Sequence, residues 1–402
     1  MKRLTVLMAL ILFVSCLLSA CSPAKSNSEI VFVKNGTNFD WWSYRDGLEK
    51  PISWLNSDPN VRAVSTLKQM KDTRFVAFVI GDFTTLSDTN YLVIFNRSDY
   101  SKPVAVTKLD PKTEYFSPDV QFTEQDMLPL IDRTTTPGII NLWSFDTAGT
   151  LTKAWSLGPE KHGGVDTNCA GFTGRDGIYM SPDGKKAFHR FETVATGSRC
   201  KFDENGMLMG SLGIKYQWQV VDIAGKVLSS GEKIVDYWRE YEDTEWPVGW
   251  LDNQTILFSR FSPNGDKTRQ CLVMVDVYDQ TKTIDLYCDE DAPAGIDGFA
   301  VSPNGKYVAF VQDYHFLVVV DAKTANVVYS SKNQNQASYG YPFTSGLAWS
   351  PDSRSIAWML DKDSANFTDS IFITQIEGTN KGQISSQKLE GTDPTYTYLW
   401  LK

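Results

Sequence analysis

The chain has 402 residues, 42% of them apolar, and a net charge of −9. That is enough material for one large β-domain or two ordinary domains. The acidic balance, with no Lys/Arg run to offset it locally, excludes nucleic acid as an expected partner, because phosphate binding needs a basic surface.

Lys2 and Arg3 open the chain, and an apolar run from Leu4 to about Leu18 follows. The run is shorter than the roughly 20 apolar residues of a membrane span and has the layout of a secretory signal. It ends in Leu18-Ser19-Ala20-Cys21, which resembles the lipobox of bacterial lipoproteins. The resemblance implies that residues 1–20 are removed and that the Cys21 thiol carries a diacylglycerol. Ser22, a residue other than Asp at the next position, implies a place in the bacterial cell envelope, lipid-anchored at the outer membrane and facing the periplasm. Residues 21–28 are small and polar, as a flexible tether is. Loss of Lys2 and Arg3 takes the charge of the remaining chain to −11.

From residue 29 onward, short Val, Ile, Phe, Tyr and Trp runs alternate with Gly, Pro, Asn and Asp turns, the pattern of many short strands. Ile30–Val33 and Phe39–Trp42 are the first strand-like runs, with Trp41 and Trp42 read as core. A weak turn copy at Phe122–Asp126 precedes Leu142-Trp-Ser-Phe-Asp146, an apolar strand ending in Asp before a tight turn. Met180-Ser-Pro-Asp-Gly184 is a different element, an apolar residue and a Ser-Pro-Asp-Gly turn leading into a strand. Pro presets φ there and Asp-Gly tolerates positive φ. The Asp-ending strand returns at Trp218–Asp222, Val273–Asp276 and Val318–Asp321. The Ser-Pro turn returns degenerately at Trp250–Phe258 and clearly at Val301–Phe310 and Trp349–Trp358. Ser262–Gly265 sits out of phase and reads as a loop between the second and third strands of its unit. Asp252, Asn304 and Asp352 are 52 and 48 residues apart, near the period of a four-stranded propeller blade.

These turns and spacings resemble the TolB-like propeller repeats, relatives of the WD40 repeats, over most of residues 118–390. The expected fold is all-β, a single β-propeller of about seven four-stranded blades over residues 29–402. Six or eight blades fit the same spacing. Strand-like residues near Asp393–Lys402 and Glu29–Trp54 are expected to share one blade and close the ring, leaving no free sheet edge.

Four cysteines remain after Cys16 and Cys21, and they allow three connectivities. A hairpin centred between Asp279 and Gln280 sets Cys271 opposite Cys288, within disulfide reach. Cys169 and Cys200 are paired by elimination, flanking a longer hairpin whose midpoint falls between Gly184 and Lys185.

No Gly-x-Ser-x-Gly elbow, P-loop, zinc pattern or calcium loop occurs, so no catalytic residue, metal or cofactor is expected. His189 and His315 lie in expected strands and read as structural. His162 lies in a loop without metal-ligand spacing, and Asp289-Glu-Asp291 reads as a solvated face. One segment mixes aromatics with acids, Tyr237-Trp238-Arg-Glu-Tyr241-Glu-Asp-Thr-Glu-Trp246. Tyr237, Trp238, Tyr241 and Trp246 are candidate partner- or ligand-binding residues; the alternative is that the tryptophans pack between blades. The expected function is a lipid-anchored, non-enzymatic scaffold or adaptor that binds an envelope protein. The alternative is a carbohydrate-binding or glycan-processing propeller using acids that converge on a central channel. A structural role without one defined partner is the third reading.

Overall fold

The structure, a computed structural model, describes residues 29–34, 40–45, 48–57, 63–81, 90–110, 113–115, 126–132, 134, 138–159, 176–194, 213–236, 245–264, 267–279, 281–289, 296–312, 316–334, 347–360, 370–378, 381–386 and 399–401. Among them, strands form seven four-stranded antiparallel sheets, and helix is confined to Ser53–Ser57 and a 3-10 turn at Ser331–Gln334. Sheet I joins Leu399–Leu401, Glu29–Lys34, Asp40–Arg45 and Leu48–Pro51, in that order. Sheet II joins Ala63–Gln69, Phe75–Gly81, Asn90–Asn96 and Ala105–Lys108. Sheet III joins Thr113–Tyr115, Met127–Asp132, Ile139–Phe145 and Leu151–Pro159. Sheet IV joins Asp176–Met180, Lys186–Val194, Gly213–Asp222 and Val227–Asp236. Sheet V joins Glu245–Trp250, Thr255–Asn264, Lys267–Asp276 and Thr283–Asp289. Sheet VI joins Ile296–Val301, Tyr307–Gln312, Phe316–Asp321 and Val327–Ser330. Sheet VII joins Leu347–Trp349, Ser355–Leu360, Ser370–Gln375 and Ile384–Ser386.

In sheet I the first strand comes from the C-terminal end of the chain, with Glu29 paired to Leu401, Ile30 to Trp400 and Val31 to Leu399. The first strands of sheets IV, V, VI, VII, I and II approach one another in that order.

Successive side chains of a strand point to opposite faces, and this divides each central strand between two neighbours. Ala187 packs between sheets III and IV, with Ile140 and Ile178. The next residue, Phe188, packs between sheets IV and V, with Trp250 and Phe258. Val308 and Ala309 are split in the same way between the V–VI and VI–VII spaces. So are Ala77 and Phe78, between the II–III and I–II spaces. A further cluster sets Ile30 and Phe32 of sheet I against Ala348 and Ala357 of sheet VII. Buried on both faces, these strands read as continuous apolar runs rather than alternating ones; Tyr307–Gln312 is buried at every position.

The repeated turns have a shared hydrogen-bond logic. In sheet IV the Ser181 Oγ donates to Asp183 Oδ1 (2.7 Å) and accepts the Lys186 amide (2.9 Å), while Asp183 Oδ1 accepts the Lys185 amide (3.0 Å). Ser302 and Asn304 repeat this in sheet VI, and Ser350 and Asp352 in sheet VII. Ser and Asp or Asn therefore recur because they satisfy backbone groups that the turn leaves open. The Asp-ending strands work likewise: Asp146 Oδ1 accepts the Ala148 and Thr150 amides, and Asp222 Oδ1 those of Ala224 and Lys226, all at 2.9 Å. Ser262–Gly265 lies where the second strand of sheet V turns into the third, as its phase implies, but most of it is strand rather than loop. Ser262, Pro263 and Asn264 continue the second strand of sheet V and pair with Arg269, Thr268 and Lys267. Proline is accommodated close to the hairpin tip, where the ladder ends.

Candidate functional site

The two ends of the sheets differ in kind. Turns between first and second strands, and between third and fourth, leave from one end; most are short, the longer ones being residues 97–104, 116–126 and 376–383. They are bonded from sheet to sheet. The Asp183 amide of sheet IV donates to Asn253 Oδ1 of sheet V (3.0 Å), and the Asn304 amide of sheet VI donates to Ser353 Oγ of sheet VII (3.1 Å). The Lys71 amide of sheet II donates to Asp126 Oδ1 beside sheet III (2.9 Å). Lys306 Nζ and the Tyr307 hydroxyl both reach Glu377 Oε1 at 2.6 Å. The Lys306 and Tyr307 hydrogen bonds hold the Glu377 carboxyl below the usual carboxylate range.

The long connections leave from the other end. These are residues 160–175, 195–212, 237–244, 331–346, 361–369 and 387–398, with 52–62 and 82–89 leaving from the same end. Tyr237, Trp238 and Tyr241 belong to the third of them and lie outside the described residues, as do Cys21, Cys169, Cys200, His162 and His315. The chain there runs from the outermost strand of sheet IV to the first strand of sheet V, of which Trp246 is the second residue. Asp176 and Glu245 hold the first positions of the first strands of sheets IV and V, opposite Phe191 and Arg260. Asp297 and Glu114 hold the second positions in sheets VI and III. Four acids thus begin first strands at this end. Sequence reasoning named none of these four; the usable signal is an acid at the first or second position of the first strand, present in sheets III, IV, V and VI.

Two polar arrangements went unread in the sequence. Glu29 is 2% exposed and accepts Arg45 Nη2 (2.6 Å) and Arg97 Nε (2.9 Å), with Arg97 itself 7% exposed. Arg97 Nη1 also donates to the Thr73 carbonyl (2.8 Å), so one carboxylate ties sheet I to sheet II. Burial, with Glu29 close by, raises the Tyr100 hydroxyl well above its ordinary range. At the other end, Gln270 Nε2 donates to Ser259 Oγ (2.7 Å) and to the Ile296 carbonyl (3.1 Å), and its Oε1 accepts the Ile296 amide. That clamp fixes where the first strand of sheet VI starts.

Cys271 and Cys288 face one another in register and form a disulfide, with Cα atoms 4.1 Å apart. Asp285 lies within reach of both sulfurs. With the sulfurs bonded to each other, no thiolate is left to ligate a metal. His189 is fully buried, its ring 5.2 Å from Phe191.

Antiparallel four-stranded sheets packed face to face in succession define a β-propeller. No family model and no curated protein matches the chain. Among solved structures it is similar to an apo prolyl oligopeptidase B from Galerina marginata. That match has 10% identity and a TM-score of 0.50, over 92% of this chain and 53% of that one. The chain thus spans about half the length of that protein, and the likeness is one of fold. It is also similar to an oligogalacturonate lyase in complex with manganese, at 12% identity and a TM-score of 0.43, over 90% of this chain and 85% of that one. An oligogalacturonate lyase from Vibrio parahaemolyticus gives 12% identity and a TM-score of 0.46, over 90% and 86%.

Proposed function

We propose that the chain is a lipid-anchored protein of the bacterial cell envelope, tethered through Cys21 at the outer membrane. Its seven sheets are the blades of one closed propeller, and it serves as a scaffold or adaptor that binds an envelope protein. The observation that carries this reading is the division of the two ends: one is knitted by short turns bonded from sheet to sheet, the other gathers the long connections. Binding residues are disproportionately found on loops positioned by a rigid frame. Closure is supported by the pairing of Leu399–Leu401 with Glu29–Val31 and by the apolar cluster between sheets VII and I. Cross-linking of the tagged, lipidated protein in cells, followed by capture and mass spectrometry, tests it. The expected result is one dominant envelope partner in near-stoichiometric yield; a small molecule turned over by the purified protein contradicts the scaffold reading. Cys21→Ala is expected to abolish incorporation of a fatty-acid analogue, and persistent labelling removes the anchor.

A second reading, carbohydrate binding, is favoured by one specific observation. Asp176, Glu245, Asp297 and Glu114 stand at the start of first strands, at the end where the last strand of sheet IV and the first strand of sheet V flank the aromatic segment 237–246 in sequence. Aromatic faces with nearby carboxylates suit sugar rings and their hydroxyls. A glycan array separates the readings: specific binding lost in Trp246→Ala favours carbohydrate, and an empty array favours the protein partner.

A further inference from the structure

Glu29 pairs with Leu401 at the tight-turn end of sheet I, so the chain enters the fold at that end. The eight residues 21–28 supply at most about 28 Å of extended chain between Cys21 and Glu29. We propose that the tight-turn end lies against the surface of a bilayer, with Ile223 and Tyr278 as the side chains that touch it. This inference rests on the reading of Cys21 as the lipid-bearing residue.

Ile223 is 54% exposed at the tip of the last turn of sheet IV, and Tyr278 is 55% exposed on the corresponding turn of sheet V. The two turns form one surface. The Ile223 amide donates to the Lys185 carbonyl (3.1 Å). The neighbouring Lys186 ammonium lies 5.9 Å from the Tyr278 ring centroid and donates to the Asn253 carbonyl (2.9 Å). Lys185, Lys226 and Lys282 are exposed around them, Lys282 also 3.2 Å from Asp279. Asp183, Asp222, Asp252, Asp276 and Asp279 lie on the same turns and accept amides of their own turns, so this surface carries both signs of charge. An aliphatic and an aromatic side chain among groups of both signs suit a headgroup region that itself carries amines and phosphates, where apolar tips reach the acyl boundary.

The placement gives two points of contact. In the order of the packed sheets, IV and V each lie three sheets from sheet I, one counted each way. The tether holds one rim and the Ile223–Tyr278 pair seats the opposite rim. The end at which the first strands begin then faces away from the bilayer.

The test uses the processed chain carrying an N-terminal hexahistidine tag, held on phosphatidylethanolamine–phosphatidylglycerol vesicles through a nickel-chelating lipid. This arm does not depend on lipidation of Cys21, and flotation of the natural lipidated protein against Cys21→Ala reports the anchor separately. Amine-reactive labelling is read by mass spectrometry, on vesicles and free in solution. Burying two half-exposed apolar side chains shifts the docked population by about an order of magnitude. Labelling of Lys185, Lys226 and Lys282 is therefore expected to slow severalfold on vesicles, while Lys108 and Lys332 at the other end label unchanged. The double variant Ile223→Ser/Tyr278→Ser is expected to stay on the vesicles and lose the protection. Equal labelling at both ends, or protection of Lys108 and Lys332, overturns the proposal.

Discussion

Replacing Glu29 by alanine takes away the carboxylate that neutralises Arg97 and Arg45 at the junction of sheets I and II. Arg45 has a side chain 35% exposed and regains water, but Arg97 at 7% does not. Its guanidinium keeps the Thr73 carbonyl and loses the Glu29 carboxylate. Breaking a buried pair by removing one partner costs about 3–5 kcal/mol, and the partial rehydration of Arg45 places Glu29→Ala near the lower figure. Against a typical domain stability of roughly 5–15 kcal/mol, that is a large fraction. Urea unfolding followed by tryptophan fluorescence measures it as a fall in midpoint at constant slope. Replacing both partners by apolar residues, Glu29→Leu with Arg97→Met, is expected to recover most of the loss, because the buried charge and its desolvation disappear together. A single-variant loss below about 1 kcal/mol, the range of an exposed pair, refutes the assignment of this pair as a buried tie between sheets.

Reducing the Cys271–Cys288 bond, which closes a loop with a sequence separation of 17, is expected to cost about 3 kcal/mol through loop entropy; thermal unfolding with and without reductant reads it, and an unchanged Tm contradicts it. Gly305 has φ of +68° with the Leu251 carbonyl 3.4 Å from where a Cβ would sit, so Gly305→Ala is expected to destabilise by about 1 kcal/mol, checked by urea midpoint. The Asp146 carboxyl is held below its ordinary range by the Thr150 amide, and that of Asp279 by the Thr281 hydroxyl. Depressed carboxyls stabilise the fold fully above their unfolded pKa of about 4 and lose that contribution as pH falls through the lower folded value. The urea midpoint is therefore expected to hold from pH 7 to 5 and fall below about pH 4; a midpoint that rises on acidification contradicts the turn assignments.

The turns were the most legible part of the sequence, because their chemistry is local. Ser181, Ser302 and Ser350 each satisfy an amide five residues ahead, and a contact that short leaves a motif. The double-sided burial of Val76–Ile80 and Tyr307–Gln312 corresponds to runs of mostly apolar residues. The sequence places Ser262–Gly265 correctly between the second and third strands, but the loop reading is too long, because pairing with Lys267–Arg269 carries Ser262–Asn264 into the strand. The Glu29–Arg97 tie spans 68 positions, and nothing local to either residue announces the other. The acids of the first strands are spaced by whole blades, so only the assembled topology sets Asp176 and Glu245 at one register. The aromatic segment at Tyr237–Trp246 drew attention by composition alone; its relation to the sheets comes from the strands on either side of it.

Site-specific photocrosslinking in living cells tests the binding face most directly. A photoreactive phenylalanine analogue is placed at position 108 or 332, at the end of the long connections, and at position 226 or 323, at the tight-turn end. The predicted result is a discrete adduct with one envelope protein from positions 108 and 332, and none with that protein from 226 and 323. A protein adduct confined to positions 226 and 323 contradicts it, and assigns the binding face to the end that is proposed here to meet the membrane.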